Sequence, residues 1–182
     1  MTNLERNVMQ IVEPVINSLG YSLYDVIYEK EGRDNYLRIF IDKDGTIDLN
    51  DCENVNNAIT DILDEKDLIK NQYMLEVSSP GIERRIRSDK QLKESINKLV
   101  EIRTYNKIDM QKQTEKDEIQ SGNLLSKKKQ MKKIIGNNDN KTLQGTLSSF
   151  DDNTITIIAN DEKIKINKKD ISNMKTVYNW EE

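Results

Sequence analysis

The sequence predicts an α+β protein of two small domains, an N-terminal α-β-β-α-β half followed by an all-β half that forms a small barrel. Three observations carry this reading. Hydrophobic periodicity switches between helical and alternating over residues 1–83, and beyond residue 100 it is alternating. Charge changes sign at the same place: residues 1–83 hold 7 Lys/Arg against 17 Asp/Glu, while residues 84–182 hold 21 against 15. A hydrophobic fraction of 35% beside a charged fraction of 33% also favours two small cores over one large one in 182 residues.

The first helix is read from Leu4, Val8, Ile11, Val12, Val15 and Leu19, one stripe at helical spacing. Pro14 should bend or restart it, and Gly20 closes it. Tyr24, Val26 and Tyr28 alternate in a first strand, and Leu37, Ile39 and Ile41 in a second, with the polar run 31–35 as a hairpin loop. A second helix starts near Asn50, with Glu53 completing a capping box and Cys52, Val55, Ile59 and Ile62 as its buried stripe. Residues 73–77 form the third strand, and the first domain ends at residue 83.

Residues 84–91 read as a linker, and 92–182 as the second domain. Ser88 with Gln91 caps a short helix carrying Leu92, Ile96 and Leu99. Four alternating strands follow, at 100–104, 142–147, 154–158 and 163–166, with turns at 151–153 and 160–162. Gly145 marks a sharp bend within its strand. A polar insertion of about 106–141 separates the first of these strands from the rest, and its length marks it as either functional or disordered.

Composition removes several function classes. The chain has no histidine, so imidazole bases and triads are excluded. One cysteine and no histidine cannot supply the usual zinc ligands. Asp42, Asp44, Thr46, Asp48 and Glu53 fall at the ligand spacing of a calcium loop, but Gly45 stands at position 4 where that loop needs glycine at 6. No metal site is expected. Lone Cys52 suits a reducing compartment and reads as packing, although the helix start should lower its pKa. No apolar run has membrane-spanning length, and the first residues lack a secretory pattern, so a cytoplasmic protein is expected.

Three segments carry phosphate-binding chemistry. Ser78, Ser79, Pro80 and Gly81 have the makings of a type II turn with hydroxyls and free amides. Arg84, Arg85, Arg87 and Lys90, with Lys93 beyond, form a basic segment beside it. Lys127, Lys128, Lys129, Lys132 and Lys133 are the densest basic cluster, on an insertion where Leu124, Lys128, Met131 and Ile135 share a helical face. Each has a plain alternative, respectively a structural turn, solvated charge and a lysine-rich loop.

The run from Asp42 to Glu53 resembles the passage from second strand to second helix in the RimP family of ribosome maturation factors. The stretch Tyr73-Met74-Leu75-Glu76-Val77-Ser78-Ser79-Pro80-Gly81-Ile82-Glu83-Arg84 is similar to that family's most recognisable segment. The strand around Gly145-Thr146-Leu147 and the hairpin from Asp151 to Ile158 look like its C-terminal domain, a looser pattern that Sm-like barrels share. The resemblance implies an SH3-like C-terminal barrel and a non-catalytic factor without cofactor. Such a factor binds the free immature small ribosomal subunit, meeting ribosomal RNA and a basic ribosomal protein, as a monomer with no membrane or small-molecule substrate. Arg84-Arg85-Ile86 departs from the family's common Arg-Pro-Leu and predicts a looser hinge, and the insertion is longer than the family's loop. The rival readings are an Sm-like general RNA-binding regulator, which would work as a ring, and a carboxylate-based hydrolase.

Overall fold

Thr2 starts the first helix, α1 (Asn3–Ser18), through a capping box in which its hydroxyl accepts from the Glu5 N–H and the Glu5 carboxylate accepts from the Thr2 N–H. The computed structural model describes residues 1–107, 141–159 and 161–178. The chain divides into two units, Met1–Gly81 and Ile82–Glu182.

In the first unit α1 buries Val8, Val12 and Ile16, spaced at i+4, and the expected stripe is corrected at its end. Leu19 lies beyond the last helical turn as the C-cap and is exposed, while Ile16 takes the core position. Pro14 sits on the exposed side, and the helix runs through it as a single element rather than restarting. Strands β1 (Ser22–Glu31) and β2 (Asp34–Asp42) form an antiparallel hairpin, with Gly32 at φ 62° in its turn. A bulge between Leu23 and Asp25 shifts the alternation, so Leu23 rather than Tyr24 joins the core with Val26 and Tyr28.

The second helix, α2 (Leu49–Lys66), is capped two residues earlier than expected. Asp48 is the N-cap and Asp51 closes the box, in place of Asn50 and Glu53. That start turns the buried stripe to Asp51, Val55, Ile59 and Leu63, leaving Cys52 and Ile62 half-buried. Strand β3 (Met74–Ser78) then returns parallel to β2, giving the sheet order β1-β2-β3. Side chains of both helices join Leu37, Ile39 and Ile41 in one core, each aliphatic contributing about 1.5–3 kcal/mol by burial. The alternate side chains of the sheet, Tyr36, Arg38 and Glu76 among them, lie on the opposite face.

The second unit opens with an extended strap rather than a free linker. An isolated antiparallel bridge pairs Arg85 with Lys175, the Ile86 N–H donates to the Met174 carbonyl at 2.8 Å, and the Thr176 N–H donates to the Arg84 carbonyl at 2.9 Å. Ile86 is buried in the second core. The strap leads into a helix, α3 (Asp89–Glu94), capped by Ser88 and Gln91. It is shorter than expected: Ile96 follows it exposed, and Leu99 already begins β4 (Leu99–Thr104).

Strands β5 (Thr142–Phe150), β6 (Thr154–Ala159) and β7 (Glu162–Asn167) form a meander from β4, and a 3₁₀ turn at Lys168–Asp170 leads to β8 (Ile171–Thr176). The order is β7-β6-β5-β4-β8, antiparallel throughout. Among the described residues no ladder joins β7 to β8, so the sheet is not closed; the all-β half expected from sequence is a five-stranded antiparallel sheet. Its core comprises Ile86, Leu92, Val100, Ile102, Leu143, Leu147, Ile155, Ile157, Ile164, Ile166 and Met174, with Ala159. Gly145 is a point of close approach: a Cβ there would lie 2.6 Å from the Ile158 carbonyl oxygen.

Candidate functional site

In the second unit, β8 positions the basic strap. The Arg84 N–H donates to the Thr176 hydroxyl at 2.8 Å, and Arg85 Nε donates to Asn173 Oδ1 at 3.3 Å. The strap alternates as a strand does, with Ile86 inward and Arg85 exposed, while Arg84 and Arg87 are half-buried. The Gln91 side chain accepts from the Arg87 N–H at 2.7 Å and the Ser88 N–H at 3.0 Å, fixing the passage from strap to helix. Lys90 and Lys93 stand exposed on α3. Arg84, Arg85, Arg87 and Lys90 are therefore held on one continuous ordered segment.

Beneath the strap, Lys175 Nζ pairs with Glu83 at 2.6 Å; the Lys175 ammonium holds the Glu83 carboxyl below its usual range, and Glu83 in turn raises Lys175. Lys168 is likewise occupied, on Asp89 at 2.7 Å and over the Phe150 ring. Sequence reasoning missed a further basic row. Lys163 and Lys165 point outward from β7, opposite Ile158 and Thr156, and Arg103 does so from β4. The alternation that identified Ile164 and Ile166 as core also placed those lysines on the outer face. Between them β6 and β5 present Thr154, Thr156 and Ser149, neutral hydroxyls that accept or donate to phosphate.

In the first unit, Ser78 ends β3 opposite Phe40, and Ser79 is exposed after it. Gly81 has φ 74° with open space where a Cβ would be, a left-handed backbone that favours glycine. Lys127, Lys128, Lys129, Lys132 and Lys133, and the helical face of Leu124 and Met131, lie outside the described residues.

The acidic character of the first unit is organised differently. On the sheet face away from the helices, Arg38 binds Glu29, Glu31 at 2.7 Å and Glu76 at 2.7 Å, with its guanidinium stacked over Tyr36. The three carboxylates raise the Arg38 pKa, Glu31 contributing most, and the cluster retains net negative charge. The apparent calcium-loop residues serve structure: Asp48 caps α2, and the Asp42 carboxylate accepts from the Lys43 N–H. Among the described residues no three His, Cys, Asp or Glu side chains converge as metal ligands would. Burial, then the nearby Asp51 and Asp48 carboxylates, push the Cys52 thiol up rather than down, which corrects the lowering expected from the helix start. No described helix is long and apolar enough to cross a membrane.

Residues 11–83 match the family model described as the RimP N-terminal domain. The match runs from within α1 through β3, nearly the whole of the first unit. The first unit is thus similar to the N-terminal domain of the RimP family.

Proposed function

We propose that this chain is a RimP-family, non-catalytic maturation factor that binds the free, immature small ribosomal subunit. The match of residues 11–83 to the RimP N-terminal domain carries the reading. The charge distribution supports it: an acidic first unit suits a basic ribosomal protein, and a second unit with exposed arginines and lysines suits ribosomal RNA. In this reading Ser78, Ser79, Pro80, Gly81, Arg84, Arg85, Arg87 and Lys90 touch the particle, with Lys127, Lys128, Lys129, Lys132 and Lys133 adding phosphate contacts from the insertion. The second unit is read as SH3-like because its last strand returns beside the first strand of a four-stranded meander. The factor works as a cytoplasmic monomer, by favouring one conformation of the particle over another, and no bond is made or broken.

Cosedimentation tests this. Binding is expected with free small subunits and not with assembled ribosomes, and it weakens as salt rises because Lys/Arg contacts release counterions from RNA. Equal binding to both particles would overturn the maturation reading. An Sm-like regulator predicts a ring-sized oligomer in light scattering instead.

A further inference from the structure

Two cavities adjoin on the first unit, one of about 300 Å³ and one of about 470 Å³, and both are lined by Asp64 and Tyr73. They form one open trough along the C-terminal half of α2 and the segment leading into β3. One end is apolar, floored by Val8, Leu63, Leu68 and Ile69. The other is lined by Asn56, Thr60, Asn71 and Gln72, whose side chains can pair with a peptide backbone, and by Leu75 and Lys70, whose ammonium is paired with Asp67.

The junction decides the ligand class. Asp64 is exposed and has no hydrogen bond or ion pair among the described residues, whereas Asp67 nearby is already paired with Lys70. Burial, with the Asp64 and Asp67 carboxylates adding to it, pushes the Tyr73 phenol up, so its hydroxyl stays neutral. A free carboxylate between an apolar end and an amide-lined end fits a cation beside an apolar side chain. It repels a nucleic-acid strand.

We propose that this trough takes an extended segment of a basic polypeptide, an aliphatic side chain entering the apolar end while an adjacent arginine or lysine pairs with Asp64. The inference rests on the reading that the acidic first unit meets a basic protein, and it assigns that contact a place.

The test is an amide NMR titration of the full chain with a short capped peptide of alternating leucine and arginine. Shifts are expected at residues 56–75, and a peptide with glutamate replacing arginine should cause none. Asp64→Lys should weaken binding by about tenfold or more, and Asn71→Lys on the rim should also weaken it. Glu65→Lys, the same charge change on the neighbouring helical position outside the trough, should leave affinity unchanged. Equal weakening by Glu65→Lys, or an unaltered affinity in Asp64→Lys, would overturn the proposal. The same shifts from a short uridine oligonucleotide would overturn it too. If wild type cosediments with small subunits but the peptide fails, the trough assignment falls while the maturation reading stands. If cosedimentation fails but the peptide binds at Asp64, the reverse holds.

Discussion

The two units bury similar sets of aliphatic side chains but satisfy their charges in opposite ways. In the first, two helices cover one sheet face and the other face gathers three carboxylates around Arg38. In the second, a sheet packs largely on itself, with the strap of Arg84, Arg85, Ile86 and Arg87 along one edge, and Lys163, Lys165 and Arg103 stand exposed on its outer face. The first unit thus gathers acidic charge around one arginine, while the second pairs Lys175 and Lys168 and still presents exposed basic side chains on β7 and β4.

The largest effect is expected at Gly145. An alanine Cβ would meet the Ile158 carbonyl at 2.6 Å and Ala159 Cβ at 3.1 Å, and backbone cannot give way as a flexible side chain does. Gly145→Ala should destabilise the second unit by about 3 kcal/mol and Gly145→Val by more, while leaving the first unit's amide signals in place. Chemical unfolding followed unit by unit checks this; equal loss in both units would mean that they do not fold separately.

Ile86→Ala comes next. Removing the buried anchor of the strap should cost about 2–4 kcal/mol in the second unit. It should also raise amide exchange at Ile86 and Thr176, whose N–H groups bond across the strap. A stable variant with unchanged exchange would show that residues 84–91 act as the linker read from sequence.

That segment shows where sequence reading ran out. Arg84-Arg85-Ile86 lacks proline, and three residues are too few to display strand alternation. Its partner β8 is missed for a related reason: residues 171–176 carry only two apolar side chains, Ile171 and Met174, and their spacing of three is not strand alternation. The strap and β8 are legible only as a pair. By contrast β2, β6 and β7 alternate apolar residues, so their existence and buried faces follow from periodicity, whereas in α2 periodicity gives the helix with Val55 and Ile59 but not the buried Asp51 and Leu63. The bulge at Leu23–Asp25 defeated alternation locally, because an inserted residue swaps faces. Of the candidate contacts, the strap arginines were found by composition. Lys163 and Lys165 alternate with Ile164 and Ile166, and as isolated lysines on a solvent face they carry no run or motif that marks a contact.

Breaking the Arg38 cluster sharpens the electrostatic side of the comparison. Arg38→Met leaves Glu29, Glu31 and Glu76 facing one another on a half-buried surface. A loss of about 1 kcal/mol is expected in the first unit, and added salt should recover most of it by screening. Salt should act the other way on particle binding by the second unit. If both responded to salt in the same direction, the contrast between an acidic cluster on the first unit and a phosphate-binding basic surface on the second would be wrong.

The last effect is present near neutral pH and fades in acid, and it separates the units by pH. The Asp48 N–H, then Lys43 at 2.6 Å and the Tyr21 hydroxyl at 2.8 Å, hold the Asp51 carboxyl at about 2 against the opposing pull of burial. In the second unit the Thr154 hydroxyl and the Asn153 and Thr154 N–H groups hold Asp151 at about 2 as well. Both values lie below the unfolded carboxylate at about 3.9, so each group stabilises its unit fully above that pH. The contribution is lost as pH falls through the folded value. Asp51→Asn removes the titration from the first unit alone. The variant should be less stable than wild type near neutral pH, and the gap should close between about pH 4 and pH 2, with the second unit's acid response unaltered. A gap that stays constant down to pH 2 would show that Asp51 acts as a neutral cap, and that the acid sensitivity of the first unit lies elsewhere.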